Sequence, residues 1–248
     1  MDAEEGRARL RSLGFHEEDV RTLWAHFDDA ERRGKRGHGH ARIPWLENLD
    51  GFDAHAEPRV VDAEPGFERW HGNGAIGYVV LARVVSRQLH DPPPRARLVV
   101  CERTFPTGML GYHARLLAEG GLVAALTATS PRRLGHPDGG PKLAGTNPLA
   151  LAIPSPGGEP VVADVSMGAV TWGDVIAGLA PEEALVPFGG EQSGHKAFAL
   201  AVGLQLLVDA LVCEPGHGAV LLVARPESDP VPELRRLAAG VRLPGDAR

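Results

Sequence analysis

Residues 96–128, ARLVVCERTFPTGMLGYHARLLAEGGLVAALTA, contain the succession of patterns that decides the fold. Ala96–Cys101 and Leu122–Ala128 are short apolar runs, which predicts two buried strands. Between them, Gly108–Ala118 spaces its apolar residues at helical intervals. Strand, helix and strand in succession indicate a β-α-β unit and therefore an α/β protein.

Further helices and strands are predicted on both sides of this unit. A helix over Ala75–Leu89 follows the turn at His71–Gly74 and ends at Asp91-Pro92-Pro93-Pro94, because proline cannot continue a helix. Towards the C-terminus, the patterns predict strands over Leu149–Ile153, Val161–Val165 and Ala219–Ala224 and helices over Lys196–Cys213 and Pro232–Ala239.

The N-terminal region is predicted to be helical. Glu4–Leu13 and His16–Glu31 each place apolar residues on one face, which predicts a helical hairpin, and a short helix is expected over Ile43–Leu49. We therefore divide the chain into an N-terminal helical region, residues 1–62, and an α/β region, residues 63–248. The two regions can pack together as one unit.

The composition excludes several classes of protein. The chain has 248 residues, 43% of them hydrophobic, and a formal net charge of -6, which argues against a general nucleic-acid binder. Two cysteines are too few for a disulfide framework, and the acidic, polar start does not resemble a secretory signal. Even the apolar stretch Ala197–Val212 is interrupted by Gln205 and Asp209, so we expect no membrane span and a cytoplasmic protein.

Residues 37–44, Gly37-His38-Gly39-His40-Ala41-Arg42-Ile43-Pro44, carry the side chains best suited to chemistry. An imidazole can supply a proton near neutral pH, and a guanidinium four residues later can bind a carboxylate through two parallel hydrogen bonds. This pair suits an enzyme that reduces the carbon beside a carboxylate. Two alternatives stay open: Arg32–Arg42 as a solvated basic loop, and His38 with His40 as metal ligands, although no convincing third ligand lies nearby.

Glycine-rich segments offer candidate anion sites without a standard nucleotide motif. Gly72-x-Gly74-x-x-Gly77 has the spacing of a dinucleotide fingerprint, but no clear strand leads into it. Gly145-Thr146-Asn147-Pro148 is either a turn that holds a phosphate or ribose, or a plain tight turn. Gly189–Lys196 opens the long helix, where N–H groups and the Lys196 ammonium could converge on an anion; the alternative is a glycine-rich connector.

Taken in order, these segments resemble the malate/L-lactate/ureidoglycolate dehydrogenase family, which includes diketogulonate, sulfolactate and piperideine-carboxylate reductases. The family's Ser-His-Gly-x-x-Arg-x-Pro is matched at residues 37–44 except for the serine, and its Gly-Thr-Asn-Pro is intact at residues 145–148. The match covers most of the chain. Looser matches lie at Pro58–Val61, His71–Gly77, Thr127–Pro131, Asp164–Gly168 and Gly189–Ala197.

The resemblance implies a predominantly antiparallel or mixed sheet with flanking helices, a non-Rossmann fold that binds NAD(P)H, and a homodimer. It also implies a reductase of a small 2-oxo acid or cyclic 2-imino acid. His38 would donate the proton, Arg42 would anchor the carboxylate, and Asn73 would also contact the substrate. The cofactor would lie in the α/β region against Thr129, Ser130, Gly145, Thr146, Asn147, Gly189, Gly190 and Lys196.

Two departures from the family pattern bear on activity. Pro106 stands where the pattern has a second histidine, and His113, about two helical turns further along, is a poor substitute. The segment between Asp164 and Gly189 is also short. These departures motivate a second hypothesis: a repurposed member that binds a ligand or partner, or performs a specialised biosynthetic step, without hydride transfer.

Overall fold

A seven-stranded mixed sheet forms the centre of the molecule in the computed structural model, which describes residues 1–246. The strands in chain order are β1 Arg59–Glu64, β2 Phe67–His71, β3 Ala96–Glu102, β4 Val123–Ala128, β5 Leu134–Gly135, β6 Lys142–Ala144, β7 Leu149–Ile153, β8 Val161–Val165 and β9 Ala219–Ala224. The helices are α1 Ala3–Ser12, α2 Glu17–Arg32, α3 Arg42–Leu46, α4 Gly77–His90, α5 Leu110–Glu119, α6 Trp172–Ile176, α7 Gly190–Leu211 and α8 Val231–Ala238.

The strand order of the sheet is β1-β2-β3-β9-β4-β7-β8, while β5 and β6 form a separate two-stranded hairpin. Strands β2 and β3 are parallel, and the other neighbouring pairs are antiparallel. The predicted β-α-β unit is present as β3, α5 and β4, with β9 inserted between the two strands. The expected class, a mostly antiparallel mixed sheet with flanking helices, is confirmed.

The main core lies between one face of the sheet and helices α4 and α5. Successive strand residues point to opposite faces, so alternate residues of β4, such as Ala124 and Leu126, are buried in this core. On the other face, α7 buries small residues, of which Ala201 packs against Leu134 and Ala144. Loop residues 36–42, which carry His38 and Arg42, belong to neither of these buried clusters.

The N-terminal helices share a second buried cluster with α4. Leu10 of α1 and Leu23 and Phe27 of α2 pack there with Ile76 and Tyr78 at the start of α4. The division that the sequence analysis placed after residue 62 falls inside β1, which pairs with β2. Because this cluster joins the N-terminal helices to α4, loop residues 36–42 are fixed beside the α/β region.

Helix α7 differs most from its prediction, because it begins at Gly190 rather than at Lys196. Gly189 precedes it with a φ of 97°, a left-handed conformation that glycine adopts without steric cost. By length and composition alone α7 could cross a membrane, although Gln205 and Asp209 interrupt its apolar run, and the expectation of no membrane span stays a prediction. Within its most apolar window, 28% of the residues are buried.

Candidate active site

His38 and Arg42 line the same cavity, which has a volume of about 420 Å³. A 3₁₀ turn over Arg36–His38 carries the histidine, and the arginine begins α3 four residues later. Gly37 is required between α2 and α6, because a Cβ at this position would overlap the backbone and carboxylate of Asp174. The close packing of this loop therefore determines where the two side chains lie.

Arg42 is held in place and still has free donors. The side chain is 5% exposed, its Nε donates to the Gly37 carbonyl oxygen over 2.8 Å, and its guanidinium carbon lies 4.7 Å from the ring centroid of Trp45. Within residues 1–246 its two terminal nitrogens have no hydrogen-bond partner. They are therefore available to bind a carboxylate in the bidentate geometry that guanidinium groups favour.

His38 is a neutral imidazole in the free protein. Burial lowers its pKa to about 3, and the positive charges of Arg42 and Lys35 act in the same direction. Its Nδ1 is buried without a hydrogen-bond partner in the described part of the chain, so Nε2 is the nitrogen available to a ligand. The site can supply a proton from His38 only after something in the cavity favours the imidazolium.

Asp164 is an acidic group of the cavity that the sequence analysis did not select. It lies near the end of β8, and its Oδ2 accepts the Gly111 N–H over 3.0 Å. Burial raises the pKa of this carboxyl group. Asp164 and Lys35 also line a second cavity of about 480 Å³. The looser family match at Asp164–Gly168 is the signal that could have identified it.

The short helix α6 forms another wall of the cavity and was also missed. Thr171 and Asp174 form a capping box at its first turn, and this Thr-x-x-Asp pattern could have predicted a helix start. Trp172 faces Arg133, whose guanidinium carbon lies 3.8 Å from a ring centroid of the indole. Burial lowers the pKa of Arg133, although an arginine stays charged at neutral pH.

Two of the predicted cofactor residues, Ser130 and Thr146, line the cavity. Behind them, Asn147 is fully buried, and its Nδ2 donates to the Ala201 carbonyl oxygen and to Gln205 Oε1 over 2.9 and 3.0 Å. Its Oδ1 accepts the Ser130 N–H over 3.3 Å. The Asn147 side chain therefore supports the wall instead of facing a ligand.

Thr129 and Gly145 also lie outside the cavity lining. The Thr129 hydroxyl accepts the Gly218 N–H over 3.0 Å, and the Gly145 N–H donates to Gln205 Oε1 over 3.4 Å. A Cβ at Gly145 would overlap Ser130, so glycine is needed for the close approach of the two turns. Both residues position the turns that present Ser130 and Thr146.

The remaining predicted residues lie elsewhere. Gly189, Gly190 and Lys196 are exposed at the start of α7 and do not line the cavity, whereas the neighbouring Phe188 does. Asn73 lies in an exposed turn, where its Nδ2 donates to the Glu57 carbonyl oxygen, and it lines neither cavity. Ligand contacts for these four residues stay predictions.

The cavity lining combines hydroxyl groups, a guanidinium and apolar side chains. The hydroxyl groups of Ser130, Thr146 and Ser166 can bind a ribose, and the Arg133 guanidinium can bind a phosphate. Apolar side chains make up much of the remaining lining, as is usual for cofactor sites. Among residues 1–246, no group of three or more His, Cys, Asp or Glu side chains could hold a metal.

Comparisons with known proteins agree with this description. The family model described as Malate/L-lactate dehydrogenase matches residues 4–179. The Delta(1)-pyrroline-2-carboxylate/Delta(1)-piperideine-2-carboxylate reductase of Pseudomonas syringae pv. tomato is 30% identical over an alignment of 281 positions. This alignment covers 88% of this chain and 79% of that protein. A crystal structure of the delta1-piperideine-2-carboxylate reductase from the same organism superposes with a TM-score of 0.83 at 27% identity, covering 98% of this chain and 89% of that one.

Other relatives are matched over less of their length. The malate dehydrogenase of Pyrococcus horikoshii is 28% identical over an alignment of 235 positions, which covers 82% of this chain and 64% of that protein. The (2R)-3-sulfolactate dehydrogenase (NADP(+)) of Chromohalobacter salexigens is 30% identical over 179 residues, 68% of this chain and 52% of that protein. The chain thus spans less than two thirds of these two relatives.

Proposed function

Because the chain belongs to the malate/L-lactate dehydrogenase family, we propose that it is an NAD(P)H-dependent reductase of a small 2-oxo acid or cyclic 2-imino acid. The observation that carries this proposal is that His38 and Arg42 line one cavity, with the Arg42 terminal nitrogens free. Its relatives include a Delta(1)-pyrroline-2-carboxylate/Delta(1)-piperideine-2-carboxylate reductase and a (2R)-3-sulfolactate dehydrogenase (NADP(+)).

The first step is recognition of the substrate's carboxylate. Arg42 binds it through its terminal nitrogens and places the adjacent C=O or C=N carbon in the cavity. The carboxylate also brings negative charge close to His38, whose pKa is lowered by burial and by the charges of Arg42 and Lys35. Substrate binding therefore favours the imidazolium that reduction requires.

The reduced nicotinamide supplies a hydride when it is bound. Ser130 and Thr146 would hold its ribose and Arg133 a phosphate, which leaves the region near His38 and Arg42 for the substrate. His38 gives its proton to the substrate oxygen or nitrogen as the carbon is reduced, so an oxo acid yields a hydroxy acid. General acid catalysis of this kind contributes about 10²–10⁴ in rate.

The test is a fluorescence titration of the purified protein with NADH and NADPH, followed by absorbance at the reduced-nicotinamide band with a panel of 2-oxo and cyclic imino acids. Saturable binding and substrate-dependent oxidation would support the reductase and identify the preferred cofactor. If neither NADH nor NADPH binds, the proposed reductase function is refuted.

A second candidate function is a repurposed member that binds a ligand or partner, or performs a specialised biosynthetic step, without hydride transfer. Pro106, in the cavity wall, favours it, because a proline side chain cannot donate or accept the proton that a histidine there would handle. Ligand binding without nucleotide oxidation in the same titration would support this function.

We also propose that the chain forms a homodimer through the sheet face that α7 covers only in part. On that face Leu151 of β7 and Leu222 of β9 are 43% and 47% exposed. On α7, Leu206 and Leu207 are 61% and 46% exposed. Large apolar surfaces of this kind are typical of protein interfaces, and a twofold dimer is the commonest soluble oligomer.

A further inference from the structure

The loop Phe105–Met109 forms one wall of the cavity and is attached to several elements. At its start, the Thr104 N–H donates to the His217 carbonyl oxygen over 2.9 Å. In its middle, the loop lies against the beginning of α4, where a Cβ at Gly77 would overlap Phe105 and Pro106. The position of the wall therefore depends on backbone contacts at one end and on tight packing in the middle.

At its other end, the loop is held by a histidine of α2. The Met109 N–H donates to His26 Nε2 over 3.0 Å, and His26 is 1% exposed. A Cβ at Gly108 would overlap the His26 and Tyr78 rings, so the imidazole packs directly against this turn. His26 is thus the side chain through which α2 reaches the cavity wall, although it does not line the cavity itself.

The protonation state of His26 follows from this geometry. A backbone N–H can only donate, so Nε2 must be unprotonated and the ring proton must be on Nδ1. Burial lowers the pKa of His26 well below its ordinary value, which favours the neutral ring. Its Nδ1 has no hydrogen-bond partner among residues 1–246. A buried N–H without a partner lowers the free energy of unfolding, so the tautomer that binds the Met109 amide reduces the stability of the fold.

We propose that His26 is a positioning residue that sets the Phe105–Met109 wall and thereby the affinity for the substrate carbon chain. The proposal rests on the reductase activity proposed above. His26 touches neither substrate nor reacting atoms; it acts through the Met109 amide and the Gly108 turn. Its removal therefore affects binding of the substrate more than the chemical step.

The chain offers a matched control in His113. This residue is equally buried at 1% exposure, its ring centroid lies 5.1 Å from that of His26, and neither of its nitrogens has a hydrogen-bond partner in the described residues. His113→Leu removes a buried imidazole from the same cluster without removing the acceptor of the Met109 N–H, because the His113 ring lies against the Thr107 backbone instead. His26→Gln keeps an acceptor near the position of Nε2, whereas His26→Leu removes it.

The first measurement is hydrogen exchange of the Met109 amide in the purified variants, which requires no substrate. His26→Leu should speed exchange by about tenfold, since about one hydrogen bond is lost, while His26→Gln and His113→Leu should retain the wild-type rate. Equal acceleration in His26→Leu and His113→Leu would overturn the proposal, because it would reduce His26 to a packing residue.

The second measurement is steady-state kinetics with the substrate found in the nucleotide titration. His26→Leu should raise KM about tenfold or more with kcat within about threefold of wild type, and His26→Gln should restore KM. An unchanged KM in His26→Leu would overturn the proposal. If wild-type protein shows no turnover, the proposed reductase fails, while the exchange rates still decide whether His26 holds the wall.

Discussion

His38 has neighbours that control when it can carry a proton. Its pKa is about 3 in the free protein, compared with about 6.5 for an ordinary histidine, because of burial first and the charges of Arg42 and Lys35 second. A carboxylate bound to Arg42 offsets that positive charge and raises the pKa. In the proposed reductase, proton uptake by His38 would thereby be linked to substrate binding, which would keep the imidazole uncharged until a substrate is present.

This linkage predicts the pH dependence of turnover. If His38 must be protonated, kcat/KM for a 2-oxo acid should fall as pH rises, by up to about tenfold per pH unit, because the free protein lies above its pKa. The profile of kcat should begin to fall at a higher pH, since the bound carboxylate raises the pKa. Rates measured between pH 5 and 9 test both statements.

The matched variant for this profile is His38→Gln. It should turn over about 10²–10⁴-fold more slowly, with no dependence on pH from this residue and with cofactor affinity close to wild type. A wild-type kcat/KM that rises with pH would contradict a proton-donating role for His38, and unchanged turnover in the variant would also reject it.

Arg42 should be required for affinity more than for folding. Arg42→Gln removes charge-assisted hydrogen bonds worth about 1.5–3 kcal/mol, so KM for the carboxylate substrate should rise about 10- to 150-fold. Arg32→Gln is the control, because that side chain is 70% exposed in the same basic stretch. The comparison uses steady-state kinetics beside thermal unfolding; similar KM values in the two variants would contradict the anchoring role.

At the level of elements, α6 holds the loop that carries His38 and Arg42. A Cβ at Gly173 would overlap the Gly37 carbonyl oxygen and approach a terminal nitrogen of Arg42 to 2.6 Å. Gly173→Ala should therefore displace the loop and lower kcat/KM about a hundredfold, while the sheet stays folded. Gly157→Ala is the control, since a Cβ there meets nothing within 4 Å. Equal kinetics in both variants, measured beside circular dichroism, would show that α6 does not set the loop.

The same helix shows what local patterns could and could not predict. Helix α5 follows from the helical spacing of its apolar residues, and strands β3 and β4 follow from two short apolar runs on either side of it. Helix α6 has only five residues, too few for a period, and only its capping box was visible. The roles of Asn147 and Asp164 depend on contacts with α7 and α5, which are distant in sequence, and no local pattern encodes such contacts.

For the whole molecule, three histidines with strongly lowered pKa values predict loss of stability in weak acid. Burial lowers the pKa values of His38 and His113 to about 3 and that of His26 well below its ordinary value. In the unfolded chain each titrates near pH 6.5, so below that pH the unfolded state binds more protons and the free energy of unfolding falls. The slope should approach about 1.4 kcal/mol per pH unit for each histidine.

Urea unfolding at pH 7, 6 and 5 tests this prediction in the range where most carboxylates stay ionised. His113→Phe should make the dependence on pH less steep by about one histidine's share, even if the variant is less stable at pH 7. An unfolding free energy that is constant from pH 7 to pH 5 would contradict the burial of three neutral imidazoles.

The exposed apolar surface gives the last prediction at the scale of the whole molecule. The proposed dimer face combines the outer side of α7 with Leu151 and Leu222 of the sheet, so a charge in its middle should oppose association. Leu206→Glu should convert a dimer to a monomer in sedimentation equilibrium at micromolar concentration. Leu237→Glu is the control, because Leu237 is a similarly exposed leucine, at 65%, on a different helix, α8. A dimer that resists Leu206→Glu, or a wild-type monomer, would show that this surface does not pair two copies of the chain.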